Sequence, residues 1–179
     1  MAIEKEFAQR VETLTRLAER DPLTGLPNRA AFEQRLRDET LRARRYGRPF
    51  SVILFDIDGF KSVNDRFGHL MGDQVLAGVA HELQRSLRQS DAVFRYGGDE
   101  FIALCPETPC LAMETLLNRL ESNLRAYYAH ANLAGGIGIS WGVASFPADT
   151  AEVDKLIGLA DQRLYECKNE HHRRTAART

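Results

Sequence analysis

The sequence is short of four things, and each shortage excludes a class. Cysteine occurs three times, as Cys105, Cys110 and Cys167. That odd number at that spacing fits no metal knuckle and no disulfide framework, so these read as reduced thiols of a cytoplasmic domain. No apolar run approaches the roughly 20 residues of a membrane helix, and no secretory signal pattern opens the chain. Excess charge is missing too. With 24 Lys and Arg against 25 Asp and Glu, the formal net charge is -1, which gives no electrostatic footing for nucleic acid. There is no internal repeat and no low-complexity tract. What remains is 44% hydrophobic and 27% charged over 179 residues, as expected of one globular domain with a small extension.

One stretch stands out against this background: Arg95-Tyr96-Gly97-Gly98-Asp99-Glu100-Phe101. The strand-like run Ala92-Val93-Phe94 precedes it, and Phe101-Ile102-Ala103-Leu104 follows. Two apolar runs joined by Gly-Gly predict a β-hairpin, with the glycines expected at the positive φ of a tight turn. One acid at such a turn is ordinary local hydrogen bonding. Two acids beside a buried strand point to a metal or proton-transfer site on a rigid support.

Taken in order, residues 2 to about 20 place Ile3, Phe7, Val11, Leu14 and Leu17 at helical spacing. This amphipathic helix either packs on its own domain or pairs with a second chain as a coiled coil. Two prolines and a glycine in Asp21-Pro22-Leu23-Thr24-Gly25-Leu26-Pro27-Asn28-Arg29 break it. Asn28 then caps a helix to about Tyr46, with Phe32, Leu36 and Leu41 expected inward and a solvated, arginine-rich outer face. Phe50 to Asp58 reads as a central strand covered on both faces. Asp56 and Asp58 share a side while the strand lasts. A turn at Gly59 leaves Asp56 as the better-buried acid and Asp58 as a cap for the following helical turn. Helices are expected from Leu70 to about Leu87, from about Leu111 to Ala129, and from about Glu152 to Lys168. A strand is expected from Ile137 to Phe146, and the basic segment from His171 onward is expected to fray.

The order α-β-α-β-β-α-β is that of an α+β, ferredoxin-like split βαβ sheet with helices on one face. In that topology the first strand and the hairpin are central neighbours, so Asp56 converges with Asp99 and Glu100. Carboxylates about 4 Å apart repel by roughly 4 kcal/mol at an effective dielectric of 20. A cation is their natural partner, and oxygen ligands alone favour Mg²⁺ or Mn²⁺ over zinc.

Gly97-Gly98-Asp99-Glu100-Phe101 resembles the signature of the GGDEF domain, the catalytic domain of bacterial diguanylate cyclases, and four other stretches agree in order. Residues 21–29 resemble the family's opening motif. Phe55-Asp56-Ile57-Asp58-Gly59-Phe60-Lys61-Ser62-Val63-Asn64-Asp65 resembles its nucleotide and metal segment, continued by Gly68-His69-Leu70-Met71-Gly72-Asp73. Ser140-Trp141-Gly142-Val143-Ala144 resembles its last strand. The resemblance divides the chain into a signalling, coiled-coil-like helix over 1–20, a GGDEF domain over 21–172 and a basic tail over 173–179. It implies an α/β sandwich like the palm of nucleotide cyclases and polymerases, with helices flanking an antiparallel-containing sheet.

The resemblance also implies a reaction. Two GTP would condense to cyclic di-GMP with loss of two pyrophosphates, between the protomers of a two-fold homodimer. Asp56, the carbonyl of Ile57 and Asp99 would hold two Mg²⁺ or Mn²⁺ ions. Asp99 would accept the 3′-hydroxyl proton with Glu100 in support, although the residues themselves leave that division open. Asn64 and Asp73 match guanine-contacting positions, Asp73 accepting from donors that adenine lacks; on its pattern alone Asp73 is a first-turn acid favoured by the helix dipole. His69 matches a substrate contact. The backbone amides of Phe60 and Lys61 match a phosphate cradle, and the Lys61 and Lys168 side chains match phosphate-neutralising positions. Arg88-Gln89-Ser90-Asp91 resembles the product-inhibition motif, in which Arg88 and Asp91 would hold cyclic di-GMP; alone, it reads as a helix-end ion pair.

One departure is plain. The family's lysine is commonly followed, after two residues, by Gly-Arg-Asn, whereas Lys168 is followed by Asn169-Glu170-His171-His172. A phosphate contact is therefore expected to be weaker or rebuilt. Three functions compete: an active cyclase, a catalytically weak module that receives GTP or cyclic di-GMP, and a dimerising regulator. The presence of Asp56, Asn64, Asp73, Asp99 and Glu100 together favours the first. The opening helix resembles the end of a signalling helix descending from a sensory domain. On that reading the domain is cytoplasmic, alone or as part of a longer, membrane-anchored protein.

Overall fold

Seven consecutive buried residues make Phe50–Asp56 (β1) the spine of the molecule. The structure is a computed structural model that describes residues 6–7, 19–109, 113–133 and 137–176. β1 lies between β3 (Glu100–Pro106) and β4 (Ser140–Phe146), and β2 (Ala92–Gly97) lies outside β3, giving the order β2-β3-β1-β4. Every pairing is antiparallel. The helices are α1 (Arg29–Tyr46), α2 (Phe60–Phe67), α3 (His69–Ser86), α4 (Glu114–His130) and α5 (Val153–Ala176). This is the α+β, split βαβ architecture expected.

Alternation along β1 builds two cores. Ile53 and Phe55 pack with Val63 of α2, Val75 and Val79 of α3, and Leu120 and Leu124 of α4. Val52 and Leu54 point the other way, toward Phe32 and Leu36 of α1 and Leu156, Ala160 and Leu164 of α5. Helices therefore cover both faces of the sheet, not one, because a strand without a polar side must be covered twice.

Other expectations shift for local reasons. β1 stops at Asp56, two residues early, and β4 begins at Ser140, three residues late. Residues 60–67 form a separate helix, and Gly68 at φ 82° divides it from α3. Asn28 caps α1 as expected, its side chain accepting from the Ala31 amide. Leu41, however, is 67% exposed. It lies nine residues beyond Phe32, half a revolution around the helix, and Glu39, Thr40 and Ala43 are buried instead. α5 continues past Lys168 to Ala176, since neither Gly nor Pro follows Gly158 within it. His171 thus lies in a helix and not in a frayed tail. Glu6 and Phe7 are helical; the rest of the helix expected over 1–20, together with Cys110 and residues 177–179, lies outside the described residues. Among those described, no helix is long and apolar enough to cross a membrane.

α5 presses against β4 at Gly142. A Cβ there would lie 1.9 Å from the Ala160 carbonyl oxygen and 2.4 Å from the Leu164 nitrogen, both backbone atoms that cannot step aside. Gly142→Ala is expected to destabilise the fold by about 3 kcal/mol, lowering the melting temperature by about 6–12 °C. Gly158→Ala, where an added Cβ meets nothing within 4 Å, should melt no lower than the wild type in the same thermal scan.

Candidate active site

The site is built on the β2–β3 turn. The sequence predicts left-handed glycines there, yet among the described residues the glycines with positive φ are Gly25, Gly47, Gly59 and Gly68. The bend is made instead by a register slip between Arg95 and Gly97. Arg95 holds it from beneath, its Nε donating to the Gly97 carbonyl at 3.2 Å and a terminal nitrogen donating to the Gly98 carbonyl. Gly97 serves a different purpose: a Cβ would come within 3.2 Å of Glu100 Oε2, so the glycine leaves that carboxylate its place.

Arg95 was not singled out from the sequence. Its side chain is only 13% exposed and pairs with Asp21 at 3.4 Å. The Asp21 carboxylate also accepts from the Thr24 amide at 2.8 Å and the Thr24 hydroxyl at 2.6 Å. Burial alone would raise the Asp21 pKa, but these donors and the Arg95 charge outweigh it and hold the carboxyl below the usual range. The Arg95 amide donates to the Pro27 carbonyl. The 21–29 turn is therefore a brace for the hairpin. A charged residue inside an otherwise apolar strand was the available signal, because a buried charge requires a partner.

The register sets Asp56 directly opposite Glu100, and the Ile57 amide donates to the Asp99 carbonyl at 3.3 Å. The three acids named from the sequence do converge. Asp56 is 9% exposed. Burial pushes its pKa up, with Asp99 and Asp58 adding to the push and Lys168 opposing it. The Lys168 ammonium lies 2.7 Å from Asp56 Oδ2. Glu100 is raised as well, by burial and then by Asp56 and Asp99. Among the described residues no three Asp, Glu, His or Cys side chains close on one point as a metal cage. Two carboxylates, Asp56 and Asp99, and the Ile57 carbonyl would instead offer a hard divalent cation a sparse oxygen set that leaves it room for waters and phosphate oxygens.

Asp58 does not cap α2. Gly59 occupies the cap position without a side-chain bond. Asp58 accepts from the Ser140 hydroxyl at 2.9 and 2.8 Å and lies 3.3 Å from His171 Nδ1. Its backbone exchanges two hydrogen bonds of 3.1 Å with Gly138. The family's glycine position is thus filled by a histidine that grips the loop after β1. The side chain of His172 lies outside the described residues.

Around the corner, an added Cβ on Gly72 would lie 2.0 Å from Asn64 Oδ1 and 3.2 Å from Phe60 Cζ. Close contact with this glycine sets Asn64 beside the turn of α3 that carries Asp73. Asp73 is exposed and lies beyond the first turn of α3, which contains no acid, so the dipole reading of Asp73 fails. Lys61 and His69 are exposed, His69 opening α3. The Phe60 amide donates to the Ile57 carbonyl at 3.4 Å, which leaves that oxygen a second lone pair.

Arg88 and Asp91 stand at the opposite end of β2. The Asp91 carboxylate accepts from the Arg88 backbone amide at 3.0 Å and the Ser90 hydroxyl at 3.2 Å. This is a capped turn and not a side-chain ion pair. A cleft of about 520 Å³ adjoins it, lined by Gln34, Arg35 and Asp38 of α1 and by Gln89, Ser90 and Asp91.

The family profile described as "Diguanylate cyclase, GGDEF domain" matches residues 18–174. The chain belongs to the GGDEF domain family. It is 42% identical over 165 residues to the diguanylate cyclase DgcP of Pseudomonas aeruginosa, covering 92% of this chain and 24% of that protein. It is 34% identical over 168 residues to the diguanylate cyclase DgcM of Escherichia coli K12, covering 93% of this chain and 40% of that one. The chain thus spans a quarter to two fifths of the length of these curated relatives. Among solved structures, the coiled coil and GGDEF domain of DgcB from Caulobacter crescentus, in complex with c-di-GMP, superposes with a TM-score of 0.82 at 28% identity, covering 94% of this chain and 90% of that one. The diguanylate cyclase SiaD of P. aeruginosa, in complex with its activator SiaC, gives 0.76 at 33% identity, covering 94% and 66%.

The electrostatics of this GGDEF site have a consequence for stability. A carboxyl whose folded pKa is raised destabilises the fold while ionised and stops doing so as pH falls through that raised value. Glu100→Gln is therefore expected to melt about a degree or two above the wild type at pH 8, a small gain because Glu100 is partly solvated. The advantage should vanish as pH falls toward the ordinary glutamate value of 4.5. Thermal melts of both proteins across that range check it, and a gain independent of pH would contradict it.

Proposed function

We propose that this GGDEF domain is an active, Mg²⁺- or Mn²⁺-dependent diguanylate cyclase that condenses two GTP into cyclic di-GMP and two pyrophosphates. The observation that carries the reading is Asp56 held opposite Glu100, with Asp99 on the adjoining turn. Divalent ions at Asp56, Asp99 and the Ile57 carbonyl would supply charge for the attacking and leaving oxygens. The protein supplies position. Asp99 accepts the 3′-hydroxyl proton and Glu100 maintains the charge and geometry around it. Lys61 and Lys168 neutralise phosphate, and the amides at the start of α2 and His69 complete its surroundings. Asn64 and Asp73 read guanine, and adenine would leave their polar atoms unmatched. Each domain offers half of this geometry, so two chains must face each other across the substrates.

Purified protein incubated with GTP and Mg²⁺ should form cyclic di-GMP, with a rate rising more steeply than linearly in protein concentration through the dimerisation range. Asp99→Ala and Glu100→Gln should each lower the rate by at least about 100-fold, in line with loss of a positioned proton acceptor. Nucleotide binding without product would favour the receptor reading instead.

Product inhibition belongs to the same proposal. Asp91 is already fixed by the Arg88 amide and Ser90, and the neighbouring cleft has room for a ligand. A GGDEF relative has been solved with c-di-GMP. Arg88→Ala is expected to abolish inhibition by added cyclic di-GMP while the initial rate stays within about twofold, as measured by product-spiked initial-rate assays. Inhibition unchanged in that variant would remove Arg88 from the site.

A further inference from the structure

Lys168 has two possible partners and one ammonium. On α5 its Nζ lies 2.7 Å from Asp56 Oδ2, with side chains 31% and 12% exposed. Asp56 also feels Asp99 and Asp58, and Glu100 feels Asp56 and Asp99. Asp58 is gripped separately by Ser140 and His171. The same carboxylate oxygens that would receive a divalent ion are thus neutralised by a lysine that the cyclase reading assigns to phosphate. A lysine suits both tasks. Its charge is a compact point on a flexible four-carbon stem, so it can change anions without moving its helix.

We infer that Lys168 is an exchangeable counter-ion. It neutralises Asp56 while the divalent ion is absent and transfers to the triphosphate once that ion takes the carboxylate. The inference rests on the metal assignment proposed above. It makes metal and nucleotide binding mutually dependent through one side chain, since each frees the partner that the other requires. Its consequences have opposite signs. Removing the ammonium leaves Asp56 open, so a divalent ion alone binds more tightly, while GTP loses a contact and binds more weakly. A lysine that only touched phosphate would leave metal affinity unchanged. One that only fastened α5 would weaken both.

The test is a nucleotide-free Mn²⁺ titration, following free Mn²⁺ by electron paramagnetic resonance, on wild type, Lys168→Met, Lys168→Gln and Lys168→Arg. The KM for GTP is measured on the same proteins, and thermal melts identify which are folded. Lys168→Met and Lys168→Gln are expected to bind Mn²⁺ about tenfold more tightly and to show a KM raised about tenfold, as befits loss of one partly screened charge pair. Lys168→Arg, which keeps the charge, should hold Mn²⁺ near the wild-type affinity. Adding Asp56→Asn to Lys168→Met should erase the gain. Unchanged or weaker Mn²⁺ affinity in a folded neutral variant, with cyclic di-GMP still formed, overturns the exchange and leaves the cyclase reading standing. Absence of Mn²⁺ binding in wild type and neutral variants alike overturns both the exchange and the metal assignment.

Discussion

Like charges held together by an antiparallel register are the constraint on which the rest of this molecule depends. β1 pairs with β3 over seven positions, from Phe50 opposite Pro106 to Asp56 opposite Glu100. The apolar part of that ladder decides where its acidic end falls. Each fully buried Phe, Ile, Leu or Val stabilises the fold by about 1.5–3 kcal/mol, and β1 contributes five of them. Repulsion between two carboxylates reaches roughly 4 kcal/mol at close range and moderate dielectric. Nor can the strands slide apart to relieve it, because a one-residue slip would turn every core side chain to the wrong face. The core wins, and the acids stay where it puts them.

The surroundings answer that concentration of charge in three ways. Lys168 neutralises Asp56 directly. Ser140 and His171 hold the Asp58 carboxylate with hydrogen bonds of its own. Arg95, braced by Asp21, clamps the Gly97 and Gly98 carbonyls from behind, so the turn cannot swing outward to separate its acids from Asp56. Glu100 is relieved only at a distance by Lys168, and burial first, then the charges of Asp56 and Asp99, keep its pKa raised. That residue of unbalanced charge is what makes a cation the natural completion of the site.

The convergence of the acids was legible in the sequence because it follows from two strong signals, a continuous apolar strand ending in Asp56 and a hairpin ending in Asp99-Glu100. Element order then fixed them as neighbours. What stayed hidden depended on distant partners. Arg95 meets Asp21 across 74 positions and Ser140 meets Asp58 across 82, and no local pattern announces either pair. Asp58 looked like a helix cap because caps are local; Ser140 captured it because tertiary contact outranks a local option at the end of a strand. Leu41 misled through composition alone, since its hydrophobicity is real but its angular position is wrong. The second helical layer could have been read from β1 itself, whose unbroken apolar run admits no solvated face.

The departure at His171 acquires a meaning beside Lys168. The two residues are three apart on α5 and so lie on one face of the helix, reaching one carboxylate at the end of β1 and another two residues on, in the loop that follows. Lys168 touches Asp56, whereas His171 touches Asp58 and Ser140. If a lysine is to release its carboxylate during turnover, something else must keep the helix end in place. The imidazole is anchored to two groups other than Asp56, so its hold on α5 would persist if the ammonium moved. A glycine at this position could hold nothing. In this chain the helix therefore has an attachment that does not depend on Asp56, and this separates the holding of α5 from the ion pair of its lysine.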